Sequence, residues 1–364
     1  MSHFSSPSEL FFSLFAQPSV RAALMFWRSQ KSQLLHHSQV VAHAIVIDNL
    51  AIVLAANYIF LGDLKGAEKT LQSASAGGVD SPEFVVLRYD LAFLRGDHAE
   101  MQRQAALGEK RANAGDWIFA RQASSLAYAG RLGETRKMSQ RAMDLAKEAD
   151  QRERAAQFQV SVAVREAFFG ERDAARQSAK AALSISNGRD VQYGAALAFA
   201  LADDNSRATA MANDLERRLP EDTAVRFSYV PTLRAALAVN RGDASRAVEA
   251  LQVAASHELG SPPSSFLGLF GALYPVYMRG NAYLDLHQGK QAAGEFQKIL
   301  DHRGVVQNDP IGALAYLQLG RAYALTGDKE RARAGYGDFL ALWKGADPDL
   351  PVLKEARAEY TKLQ

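Results

Sequence analysis

The chain has 8 histidines, 40 acidic residues and no cysteine, which narrows the chemistry at once. Without cysteine there are no disulfides, zinc–thiolate sites or thiol nucleophiles. His36, His37 and His43 lie close together, and His36 and His43, seven apart, can share a helix face. No carboxylate joins them at i,i+4 and no HExxH exists, so they read as solvated or capping residues. Asp347-Pro348-Asp349 offers too few oxygens for a calcium loop and reads as the turn into a last helix. There is no Gly-x-Ser-x-Gly elbow and no Walker loop. The glycines of LGLFGALYP come without a lysine and mark a bend between helices. Asp203–Asp204 is a carboxylate pair at a turn, where it caps. The expectation is a protein with no catalytic residues, no metal and no cofactor.

What remains is binding chemistry. The net charge of +2 gives no global field for nucleic acid or anionic lipid. Basic residues in stretches such as EKRANAGDW and QRERAAQ are balanced by acids on helix faces. Residues 10–27 are apolar but are broken by Pro18 and Arg21, with no preceding positive charge. Residues 40–62 could span a bilayer by length, but Asp48 at their centre makes a buried helix the better reading. A cytoplasmic protein that binds another protein or a peptide, with no nucleic acid and no membrane insertion, is expected.

Side chains that bind need elements to carry them, and here those elements repeat. Gly62, Gly96, Gly130, Gly170, Gly242, Gly289 and Gly327 each sit between two Ala-rich helical patterns. Their spacings are 34, 34, 40, 72, 47 and 38 residues, and the longest gap holds a weaker unit turning at Asp203–Asp204. Gly supplies the left-handed residue that ends one helix, and Asp often follows to cap the next. An alanine five residues after the turn, as in Ala67, Ala175, Ala247 and Ala332, lets the two helices approach closely. Tyr316, Leu319, Gly320, Tyr323, Gly327, Ala332, Tyr336 and Phe339 match the tetratricopeptide pattern. Gly280, Tyr283, Ala292, Phe296 and Ile299 continue it in the preceding unit, with His287 where the turn glycine belongs and Gly289 two residues later. A hairpin cannot bury its apolar face alone, so an all-α, right-handed α-solenoid of about eight hairpins is predicted over residues 47–343. Residues 1–46 form a non-repeat helical segment opened by a capping box at Ser6–Glu9. Residues 344–364 form a capping helix from Pro351, with Val352, Leu353 and Ala356 on the last hairpin. Residues 258–275 and 298–314 read as long connectors.

Residues 47–364 resemble the C-terminal tetratricopeptide region of acidobacterial-type eukaryotic-like serine/threonine kinases and winged-helix regulators, on LAFLRGDHAEMQRQ and, most specifically, on the units from ALYPVYMRGNAYLDLHQGK to the end of the chain. That resemblance implies an interaction region, or a signalling module acting in trans or severed from such a protein. No kinase residue carries over. His302-Arg303-Gly304 lacks the catalytic base, and Asp338-Phe339-Leu340 falls inside a repeat helix. Residues 1–46 are too short for a winged helix.

In a solenoid the first helix of each hairpin lines the concave side, where peptides bind. That register makes Tyr274, Tyr277, Asn281, Leu317 and Arg321 the candidate partner-binding residues, with Leu284 and Ala324 beside them. The first unit places Asn49, Ile52, Val53 and Ala56 there, which is not a carboxylate clamp.

Overall fold

The computed structural model describes residues 50–111, 113–260, 262, 264 and 269–364. The chain divides into two compact units, Met1–Ala51 and Ile52–Gln364. Of the first, only Leu50 and Ala51 are described, so the expected N-terminal helix and the histidine trio lie outside the described residues.

The second unit is an α-solenoid, and its described residues include no strand. Helical residues 52–60 pair with α1 (Leu64–Ala76). The next pairs are α2 (Glu83–Arg95) with α3 (His98–Glu109), and α4 (Gly115–Tyr128) with α5 (Leu132–Glu148). Then come α6 (Arg152–Phe168) with α7 (Arg172–Ile185), and α8 (Arg189–Leu201) with α9 (Asn205–Arg218). A π-helical turn at Val225–Tyr229 leads into α10 (Val230–Asn240), which pairs with the short α11 (Ala244–Ala250). Then follow α12 (Tyr274–Asp285) with α13 (Gly289–Asp301), a short α14 (Arg303–Val306), and α15 (Ile311–Leu325) with α16 (Lys329–Leu342). Helix α17 (Pro351–Thr361) ends the chain.

Each turn closes by the same backbone return bond, and Asp63, Asp97, Asp204, Asp243 and Asp328 add a side-chain cap to the helix that follows. At the last one, Gly327 is left-handed (φ 77°) and Asp328 N–H donates back to the Tyr323 carbonyl at 3.1 Å. The Asp328 side chain then caps α16 by accepting from Arg331 N–H at 3.0 Å. Ala67, Ala175, Ala247 and Ala332 are all fully buried at their hairpin crossings. Gly320 is needed for a similar reason, since a Cβ there would lie 2.7 Å from the Tyr336 ring. One turn differs from expectation. His287, not Gly289, takes the left-handed conformation (φ 55°). Ala292, five residues after His287, is fully buried, so the repeat register runs through the histidine. Gly289 is instead the first residue of α13, pressed against the Ala322 carbonyl.

The solenoid closes on itself. Trp343, fully buried after α16, donates its indole N–H to the Tyr128 carbonyl at 3.0 Å. Its ring meets Phe169 edge-to-face at 5.0 Å. Asp347 N–H donates to the Gly130 carbonyl at 3.0 Å, and the Asp347 carboxylate accepts from Gly133 N–H at 2.7 Å. A Cβ on Gly130 would stand 2.6 Å from the Ala346 methyl and 2.7 Å from the Trp343 ring. Pro351 packs on Gly170 in the same way. Segment 343–352 thus straps the C-terminal end onto the turns of the third and fourth hairpins. Helix α17, expected to cap an open end, packs its buried Leu353 and Ala356 against α16 and is held by this strap as well.

The two connectors also have a different role from that of linkers. Leu269, Phe270, Ala272 and Leu273 are buried, as are Val305, Val306, Asn308 and Asp309. They fill the inside of the coil against α4, α6, α8 and α12, and Asn308 reaches the Ser125 hydroxyl at 3.2 Å. Tyr193 stacks on Tyr229 at 3.8 Å and on Phe270 at 6.1 Å. In this interior Arg165 donates to the Ser124 hydroxyl at 2.7 Å and to the Leu269 carbonyl at 3.3 Å. Burial drives its pKa down to about 10. Burial pushes the Asp309 carboxyl up to about 7, although Ile311 N–H, the Tyr274 hydroxyl and Arg165 all favour its charge.

Candidate functional site

The residues expected to face a partner lie along α12 and α15, and the closed coil sorts them by depth. Tyr274, in the first turn of α12, is buried, and its hydroxyl donates to Asp309 Oδ2 at 3.0 Å. Burial raises its pKa well above that of a free phenol. Tyr277 is buried one turn later and accepts from Gln318 at 3.1 Å. Leu317 is fully buried. These three side chains therefore present no surface to a partner. Tyr274 is held by the connector residue Asp309, and Tyr277 is enclosed by Gln318, Phe168 and Phe296 of the neighbouring helices.

The C-terminal halves stay open. A groove of about 630 Å³ runs past the ends of α10, α12 and α15 and is bounded by Tyr336 of α16 and Glu359 of α17. Asn281, Leu284, Arg321 and Ala324 line it. Val239, Asp285, Gln318 and Leu325 line it too, and sequence reasoning missed them. Leu325 is 43% exposed, unusual for a leucine in an otherwise well-buried helix. The Asn281 amide oxygen is buried without a hydrogen-bond partner.

Arg321 is not the free hot spot its position suggested. It forms a two-pronged bond to Glu359, Nε to Oε2 at 2.8 Å and Nη2 to Oε1 at 2.9 Å, and reaches Glu355 at 3.4 Å. Burial opposes its charge, but the Glu359 carboxylate outweighs that and holds its pKa above the usual value. Tyr336 also donates to Glu359 at 2.8 Å. Arg321 therefore anchors α17, and its charge is already matched.

Two further cavities, smaller than this groove, hold arginines that are mostly ion-paired, while Arg88 beside the second bonds the Ser75 hydroxyl at 2.8 Å. One of about 250 Å³ touches Ile52, Ala56, Trp117, Arg121 and Arg154. Arg154 pairs with Asp116 at 2.6 Å and lies over Trp117, while Arg121 pairs with buried Asp90 at 3.1 Å. A notch of about 420 Å³ between α1, α2 and α3 has Arg95 on Glu68 and Arg103 on Glu100. Among the described residues no three His, Asp or Glu side chains gather as metal ligands would. The Asp338-Phe339-Leu340 triplet lies within α16 with Phe339 buried. No helix of the described residues is long and apolar enough to cross a membrane.

No family model matches the chain, and no curated protein matches it. Solved structures matched by the chain include a tetratricopeptide repeat protein from Parabacteroides merdae ATCC 43184, with TM-score 0.41 and 15% identity, covering 86% of this chain and 99% of that one. Yeast Tom70 follows with TM-score 0.36 and 11% identity, covering 86% and 89%. The P58(IPK) TPR domain gives TM-score 0.25 and 12% identity, covering 87% and 99%. The fold assignment stands on the helices and turns of this chain itself.

Proposed function

We propose that the chain is a non-catalytic interaction scaffold that holds a segment of a protein partner in the groove between α10, α12, α15 and α17. One observation carries this. The groove lies on inner-helix surface beyond the part that the buried connector residues cover, and Leu284, Ala324 and Leu325 line it with accessible apolar side chains. Accessible apolar side chains in a groove suit an extended or helical peptide that covers them. In this reading the scaffold works by shape and does no covalent chemistry.

The test is a selection of short displayed peptides on the full chain, repeated on Ala324→Trp. Ala324 is exposed, so the indole fills the groove without disturbing the core. Peptides held by the natural chain and lost on the variant support the reading. Peptides held equally by both put the interaction on another surface, and no selected peptide at all refutes the groove.

A further inference from the structure

One lining group of the groove has no structural role. Asp285 is the last residue of α12, where unpaired carbonyls already concentrate negative charge. The last turn of α12 contains no basic residue to offset it. Among the described residues, no lysine or arginine forms an ion pair with it. Arg321, the cation of the same groove, is taken by Glu359 and Glu355. Partial burial in the groove wall raises the Asp285 pKa, opposed only by His287 two residues on. A carboxylate placed against a helix dipole, with no lysine or arginine paired to it, beside Leu284, Leu325 and Val239, is a cost that a bound cation would remove.

We infer that the groove takes a partner segment carrying a lysine or arginine between apolar side chains. The cation meets Asp285, and the apolar groups settle on Leu284, Leu325 and Val239. This rests on the groove reading above and adds the class of partner. The charge pattern supports one sign only. An acidic segment would meet Asp285 and Glu359 with no free cation to receive it. A lysine or arginine stem, by contrast, can lie along Leu284 and deliver its head to the carboxylate.

The experiment extends the same peptide selection. Selected sequences should be enriched in Lys or Arg flanked by apolar residues. Their affinity, read by fluorescence anisotropy at low salt, should fall about three- to tenfold on Asp285→Asn, as for one partly exposed ion pair. Selection on Asp285→Lys should then favour Asp or Glu at the same peptide position. Circular dichroism melts of both variants check that the fold is kept. Peptides that lose binding on Ala324→Trp yet ignore Asp285→Asn overturn the cation assignment and leave the groove standing. Peptides with acidic enrichment overturn it likewise. A selection that yields no groove-dependent peptide removes both readings.

Discussion

Replacing Gly130 by alanine, with Gly327→Ala as its control, tests the closure of the coil directly. Both glycines are left-handed, with φ 72° and 77°, and both end the first helix of a hairpin. An alanine in that conformation costs about 1–2 kcal/mol, offset by about 0.4–1 kcal/mol from restricting the unfolded chain. Gly327→Ala should therefore cost roughly 1 kcal/mol, because nothing lies within 4 Å of its new methyl. At Gly130 the methyl would arrive 2.6 Å from Ala346 and 2.7 Å from the Trp343 ring. The ring cannot swing aside cheaply, since its N–H is bonded to Tyr128 and its edge is set against Phe169. Forcing a methyl into such packing adds about 1–3 kcal/mol. Guanidinium unfolding read by circular dichroism should show Gly130→Ala losing that much more than Gly327→Ala. A Trp343→Ala background should narrow the difference without erasing it, because the ring clash is gone while the Ala346 methyl stays. Equal losses at the two glycines in the natural background would refute the strap between segment 343–352 and the third hairpin.

Other perturbations probe the remaining features. Ala332→Leu should overfill the α15–α16 crossing and cost about 1–3 kcal/mol; an unchanged melting midpoint would refute the hairpin register. Asp309 has a folded-state pKa of about 7 against an ordinary 3.8. The folded state therefore binds its proton more tightly, and stability falls as pH rises between those values. Unfolding at about pH 5 and about pH 8 should show the natural chain losing up to about 2–3 kcal/mol relative to Asp309→Asn, and parallel curves would contradict this. Asp285→Asn should leave stability unchanged or raise it by about 0.3–1 kcal/mol, since it removes a charge from the wrong end of α12; a clear loss by thermal melt would mean the carboxylate has a structural partner. Arg321→Ala should loosen α17, read as faster amide exchange over residues 351–361, because Glu355 and Glu359 lose their cation.

The hairpins were legible because their signals are local. A left-handed Gly followed by a capping Asp lies within two residues, and the alanine that permits the crossing lies five further on. Even the weak unit at Asp203–Asp204 could be placed, with Asp203 left-handed (φ 63°) and Asp204 capping α9. The exception at His287 shows the limit, since a histidine takes the glycine's conformation and only buried Ala292 reveals the register. Closure was not legible. Trp343 and Tyr128 are 215 residues apart, and nothing in the period of the repeat links them. For the same reason Leu269–Leu273 and Asn308–Asp309 read as loops when they are core. This explains the mixed result at the groove. The register put Tyr274, Tyr277, Asn281, Leu317 and Arg321 on inner helices, but depth along those helices depends on connectors folded in from elsewhere. Asp285 carried only a faint signal, an acid at a helix end with no lysine or arginine in the last turn.

The bond from Trp343 to the Tyr128 carbonyl has a consequence for how such a protein can change length. In an open array a hairpin can be gained or lost with little effect beyond its neighbours, because each unit touches only the next. Here an added unit would rotate and translate everything after it by one superhelical step. Trp343 would then miss the third hairpin, and Pro351 would miss the fourth. The strap thus acts as a ruler: the number of hairpins between Tyr128 and Trp343 is held constant by packing, and duplication or deletion within that span breaks the ring.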